Sequence, residues 1–238
     1  MQKTKRTLVI FIATICCLML LSQLAWGAWI IEQKQTMGKG IMVKSVMTFG
    51  DSAIRTDIPD RQSTTIMDFA KKKIYIIQHA QKMYMEMPLN MMKENVKKNL
   101  AEKRKNQAGD VIATKSTGEH KTIAGYDCEK IIMAKNGKKV GELWITSKLS
   151  KKSILKLYKK FFNLTGAQEP NSNDAVLEGL KKGLAKGFPM RSVFKDEQGN
   201  EASSEVTAIK QKKMAKSFFM PPKNYKKMAM PGMGAMTP

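Results

Sequence analysis

The sequence predicts an α+β protein: one large curved antiparallel sheet, an unclosed β-barrel of about eleven strands, covered by about three helices. Three observations predict this class. Apolar residues alternate with period two in short runs. Turn-forming residues separate those runs at close intervals. Helical periodicity interrupts them in three places only, between groups of strands and not after each one.

The chain opens with a basic MQKTKR, then the apolar stretch TLVIFIATICCLMLL, then SQLAWGA with small residues at Ala25 and Gly27. That is the layout of a secretory signal peptide, residues 1–27, with cleavage expected after Gly27. The apolar part is too short for a comfortable transmembrane span. Ile15 and Cys16 do not fit a lipoprotein signal, so an exported, periplasmic protein is expected.

Past the signal, Trp29, Ile31 and Gln33 alternate with Ile30, Glu32 and Lys34, and Ile41, Val43, Ser45 and Met47 form one face of the next run. SAIRTDI (52–58), TTIMDFA (64–70), KKIYIIQ (72–78) and KMYMEM (82–87) follow, with turns at Gly50-Asp51, Pro59-Asp60 and 79–81. Six closely spaced strands imply an antiparallel meander. Residues 88–107 then place Leu89, Met92, Val96 and Leu100 at helical spacing behind Pro88, a narrow amphipathic stripe. Strands resume at 110–117, 126–134 and 138–146, the last two joined at Asn136-Gly137, a hairpin signal.

A second helix over 150–163 carries Ile154, Leu157, Tyr158, Phe161 and Phe162 on a broad apolar face. A third is expected over 174–186, and two further strands over 188–196 and 201–210. One domain, 28–227, is followed by a flexible Met-, Pro- and Gly-rich tail, 228–238.

The net charge is +22. Inside a cell that excess would suggest nucleic acid, but export and the lack of any binding signature exclude it. An anionic membrane surface or an ordinary solvated exterior remains. Two of the three cysteines lie in the signal, which leaves Cys128 without an intramolecular disulfide partner.

STGEHKTIAGYDCEKIIM followed by GELWIT, then KGFPMRSVF and FFMPPKNYKKM, resemble the ordered segments of an uncharacterised exported family, a domain of unknown function. That family is related to the lipoprotein-carrier superfamily of LolA and LolB. The resemblance covers about residues 30 to 228. It implies a half-barrel with an apolar concave face, helices acting as a lid, and a cavity for a lipid or a lipoprotein acyl chain. In those carriers an arginine on an early strand helps to tie the lid. Arg55 lies in that region, but no motif aligns it, so the role is not carried over.

Candidate chemistry concentrates in GEHKTIAGYDCEK, where His120 and Cys128 stand eight residues apart. A thiol nucleophile needs its histidine within hydrogen-bond reach. The alternation places Tyr126 and Cys128 on one strand face and Asp127 and Glu129 on the other, with a Thr-Ile-Ala-Gly-Tyr turn between histidine and cysteine. A buried strand cysteine is the favoured reading. One cysteine and two histidines cannot make a four-ligand structural zinc site. No HExxH, GxSxG, phosphate loop or dinucleotide fingerprint occurs, so neither an enzyme nor a cofactor is expected.

Methionine carries more information. Met83, Met85 and Met87 share a strand face suited to a core or a lipid-lined cavity, and with Ile154, Leu157, Phe161 and Phe162 they are the predicted ligand-binding residues. The expected function is a non-enzymatic, monomeric exported protein holding a lipid or acyl chain between sheet and helices. Two alternatives stand beside it. One is an envelope interaction or sensor module with the same fold and a filled core. The other is Cu(I) binding by the tail methionines Met228, Met230, Met233 and Met236, whose thioethers are soft ligands.

Overall fold

A computed structural model describes residues 25–37, 40–91, 94, 111–149, 153–164, 182–195 and 201–229. The strands are β1 (Ala25–Met37), β2 (Ile41–Phe49), β3 (Ala53–Ile58), β4 (Ser63–Asp68), β5 (Lys73–Gln78) and β6 (Met83–Pro88). After them come β7 (Ile112–Ile123), β8 (Tyr126–Lys135), β9 (Lys138–Thr146), β10 (Phe188–Lys195), β11 (Glu201–Ala215) and β12 (Lys226–Met228). One helix, α1, spans Ser153–Leu164, with helical turns at 89–91 and 182–186. The remainder of the two helices expected over 88–107 and 174–186 lies outside the described residues.

All twelve strands form one open sheet in the order β12-β6-β5-β4-β3-β2-β1-β11-β10-β9-β8-β7. Two meanders, β2–β6 and β7–β11, meet on either side of β1, so the first strand becomes the centre of the sheet. The count exceeds the expected eleven because β12, too short for alternation to reveal, adds to β6 in parallel. Met228, assigned from sequence to the tail, is its last residue. β1 begins at Ala25, so the expected cleavage after Gly27 falls inside the strand, where Ala25–Gly27 pair with Lys213–Ala215.

Two tight turns explain how neighbouring strands stay in register. Asn136 and Gly137 both take positive φ, 50° and 79°, as the hairpin signal requires. Ala124 and Gly125 do the same at 48° and 81°. The expected five-residue turn over 122–126 is therefore a two-residue hairpin, and β7 continues to Ile123.

The main core joins Ile31, Met47, Phe49 and Ile54 of the sheet to Ile154, Leu155 and Leu157 of α1 and to Phe188 and Met190 of β10. A second cluster, Met67, Ile74 and Leu89, lies toward β6. A third, Ile66, Tyr75 and Ile77 with Phe219 and Tyr225, is capped by the C-terminal segment. Residues that alternate along β4 (Ile66, Met67) and β5 (Ile74, Tyr75) fall into different clusters, so this half of the sheet is covered on both faces. Among the described residues, no helix is long and apolar enough to cross a membrane.

Candidate functional site

Cross-strand register builds the helix-side face from single residues. Trp29, Phe49, Ile54, Met67, Ile74 and Met87 are successive partners across β1 to β6, a continuous apolar row over six strands. The adjacent row, Ile31, Met47, Thr56, Thr65, Ile76 and Met85, is mixed. One row further, Ile58, Ser63, Gln78 and Met83 are partners. The face thus grades from apolar to polar along its strands. α1 lies at the apolar end: Tyr158 sits 6.4 Å from Phe49 and 5.1 Å from Phe188, ring centre to ring centre. Burial raises the Tyr158 phenol to about 12, so it stays neutral.

The predicted residues divide on this gradient. Ile154 and Leu157 are buried in the main core. Phe161 is half-buried and packs against both the main core and the Met67–Ile74–Leu89 cluster, where it joins Met87. Met83 and Met85 are half-buried farther along β6. The Phe162 side chain lies outside the described residues. The structure therefore brings Met87 and Phe161 together but leaves Met83 toward the polar rows. Where Tyr158 of α1 meets the sheet, a small pocket of about 40 Å³ has mixed walls, apolar from Ile31, Met47, Phe188 and Met190 and polar from Gln33, Arg191, Ser192 and Ser204.

The opposite face of β3 to β6 holds a polar clasp that sequence reasoning missed. Arg55 donates from Nε and Nη2 to the Asp57 carboxylate at 2.8–3.0 Å, and from Nη1 to the Phe218 carbonyl at 2.9 Å. Its guanidinium also lies 4.4 Å from the centre of the Phe218 ring. Thr64 donates its hydroxyl proton to Asp57. His79 Nε2, 2.8 Å from that hydroxyl, must then be the donor, and Nδ1 lies 2.9 Å from Tyr225 Oη, so the ring bridges Thr64 and Tyr225. Arg55 ties a crossing segment, the short C-terminal 3-10 turn Lys216–Phe219, and not α1. The visible signals were Arg55 and Asp57 at strand spacing and the aromatic and proline residues of FFMPPKNY.

Beside the clasp, Gly50, Ala53, Asp68, Lys71, Met214, Phe219 and Met220 line a cleft of about 340 Å³. Phe219 packs directly onto Gly50 at its wall, where a Cβ would lie 2.8 Å from the ring. Farther along this C-terminal strap, residues 216–228, Lys227 of β12 bonds Glu86 at 3.2 Å, and Glu86 also bonds Lys73 at 2.6 Å. The Lys73 hydrogen bond lowers the Glu86 carboxyl below its ordinary 4.5, with Lys227 adding to it and partial burial opposing. A lowered folded value means the stabilisation is present above the unfolded value and is lost as pH falls through the folded one. Glu86→Gln should therefore flatten the dependence of the unfolding midpoint as pH falls below the ordinary carboxyl value of 4.5. Urea titrations at stepped pH check this; an unchanged slope would remove Glu86 from the acid response.

The GEHKTIAGYDCEK hairpin resolves by register. Lys121, not His120, stands opposite Cys128, while His120 pairs with Glu129 on the other strand face. His120 Nδ1 lies 3.0 Å from Asp127 Oδ2, both exposed. Cys128 is fully buried and its thiol is 3.2 Å from the Tyr126 carbonyl, to which it donates. Burial pushes the thiol up to about 11, far from thiolate reactivity at neutral pH. The structure keeps the two residues apart. Among the described residues, no three histidine, cysteine or carboxylate groups cluster as a metal site.

The sequence matches a family described as a domain of unknown function, DUF4412, over residues 30–225. The chain belongs to the DUF4412 family. No curated protein matches it. The DUF4412 chain is similar to an uncharacterized conserved protein from Thermus thermophilus, with 12% identity, a TM-score of 0.46, and coverage of 84% of this chain and 89% of that one. It is similar to the MucA/MucB complex structure of Pseudomonas aeruginosa at 7% identity and a TM-score of 0.42, covering 86% of this chain and 59% of that one. A LolA superfamily protein from Nitrosomonas europaea matches at 6% identity and a TM-score of 0.31, covering 82% and 90% of the two chains.

Proposed function

We propose that this DUF4412 protein is an exported, non-enzymatic monomer that holds a lipid acyl chain against the helix-side face of its sheet. The observation that carries the reading is the six-strand apolar row from Trp29 to Met87, with the half-buried Phe161 of α1 bridging the two clusters at its ends. Ile154, Leu155 and Leu157 of α1 are buried against the sheet, so a bound chain must displace helix contacts. A chain enters as α1 shifts and its methylenes replace the contacts of Phe161 and Leu157, each buried CH₂ contributing about 0.8 kcal/mol. Lys156, Lys159 and Lys160 on the outer side of α1 are exposed and suit anionic headgroups. Export rests on the signal-like residues 1–27.

Native mass spectrometry and solvent extraction of the purified mature protein test the reading. Co-purifying lipid is expected, along with uptake of a fluorescent fatty acid that Phe161→Asp weakens by about tenfold, the equivalent of ~1.4 kcal/mol. No bound lipid and no probe uptake would sink it. The burial of Ile154, Leu155 and Leu157 in the main core favours a second reading, an envelope interaction or sensor module with a permanently filled core. In that case probe uptake is absent, and a protein partner protects surface residues from labelling while α1 stays in place.

A further inference from the structure

We propose that Met83, Met85 and Met228 form a Cu(I)-binding thioether site where β12 joins β6. The parallel register sets Met228 directly beside Met85 and Lys226 beside Met83. Paired residues of neighbouring strands share a face, and residues two apart on one strand share it too. The three thioethers therefore stand on one surface, at a strand spacing of about 4.8 Å and a two-residue step of about 6.6 Å. All three residues are half-buried, so none of them is sealed in the core. Met87, next on that face, is engaged with the core cluster and is not part of the site.

The surroundings select a soft ion. The partners of Met83 and Met85 on β5 are Gln78 and Ile76, neither anionic. Glu86 alternates to the other face, where Lys73 and Lys227 neutralise it. Among the described residues of that face, a hard divalent cation thus meets no carboxylate, whereas uncharged thioethers suit Cu(I). The sulfur atoms carry no proton to lose, so binding involves no proton release and no electron transfer. β12 is also firmly placed: Lys226 N donates to the Lys82 carbonyl at 3.0 Å, and Tyr225 is bonded to His79 just before it. The position of Met228 is thereby set by the fold and not by the tail beyond it.

Anaerobic titration of the mature protein with Cu(I), against bicinchoninate as competitor, tests the site. One ion per chain is expected. Met85→Leu with Met228→Leu, a near volume-conserving pair of changes, should weaken binding by about 100-fold or more, since changes to groups that merely support a ligand already cost 10–100-fold. Met230→Leu, Met233→Leu and Met236→Leu together should leave affinity unchanged. The proposal is overturned if the wild type takes no copper from the competitor, if the Met85/Met228 pair binds normally, or if the tail triple variant abolishes binding. X-ray absorption of the copper-loaded wild type decides the matter independently of any variant's folding: a sulfur-only shell of three is expected, and nitrogen or oxygen ligands would overturn it.

Discussion

Arg55→Leu is expected to cost about 3 kcal/mol and to release the C-terminal strap while α1 stays packed. The Arg55 and Asp57 side chains are only 15% and 24% exposed, so removing the guanidinium strands a largely covered carboxylate. The same change removes the donor to the Phe218 carbonyl and the cation over its ring. For a domain of this size the loss corresponds to a melting point lower by roughly 6–12 °C. Hydrogen exchange gives the sharper readout: the amides of Met220 and Tyr225, bonded within the strap to Ser217 and Pro222, and of Lys226, bonded to Lys82, should lose protection first. Arg55→Lys should recover only part, because lysine keeps the charge but not the planar fork. A melting point unchanged by Arg55→Leu, or protection lost evenly along the chain, would show that the clasp is not a separate unit.

The second large effect is expected at Gly187, where a methyl group has no room. A Cβ there would lie 2.3 Å from the Thr146 carbonyl oxygen and 2.8 Å from its carbon, and a backbone cannot step aside as a flexible side chain can. Gly187 links the helical turn at 182–186 to β10, and the next residue, Phe188, stacks on Tyr158 of α1. The close approach of Gly187 to β9 lets Phe188 reach the helix, which gives the GFP segment of the sequence a physical reason. Gly187→Ala should destabilise by about 3 kcal/mol, the upper part of the range for overpacked sites. Because the strain falls on the contact that seats α1, uptake of an apolar probe should rise at temperatures where the variant remains folded. A urea midpoint within error of the wild type would mean that the β9–β10 junction adjusts freely.

The half-barrel class was legible because alternation is a local property. Ile31, Val43 and Met47 are buried where period two placed them, and Asn136-Gly137 turns as its composition demands. α1 appeared at 153–164 for the expected 150–163, because five large apolar residues at helical spacing leave few other arrangements. β12 was illegible: three residues, Lys-Lys-Met, carry no period, and only pairing with β6 makes them a strand. Of the candidate residues, Ile154, Leu157 and Phe161 could be named because a broad apolar stripe must be buried somewhere. Met228 and Met85 could not be joined from sequence, since nothing local relates them.

By itself, the sequence determined eleven of the strands, the Asn136-Gly137 hairpin, the covering helix α1 and the alternation of faces within each run. It also determined that His120 and Cys128 lie on one hairpin. Only the tertiary structure decided that they point to opposite faces, since a register offset of one residue reverses every side chain. The tertiary structure alone likewise decided what closes over the second face. Arg55 meets Phe218 across 163 residues and His79 meets Tyr225 across 146. Periodicity reports only which side of a strand must be covered. Which distant segment covers it depends on how twelve strands pack into one sheet.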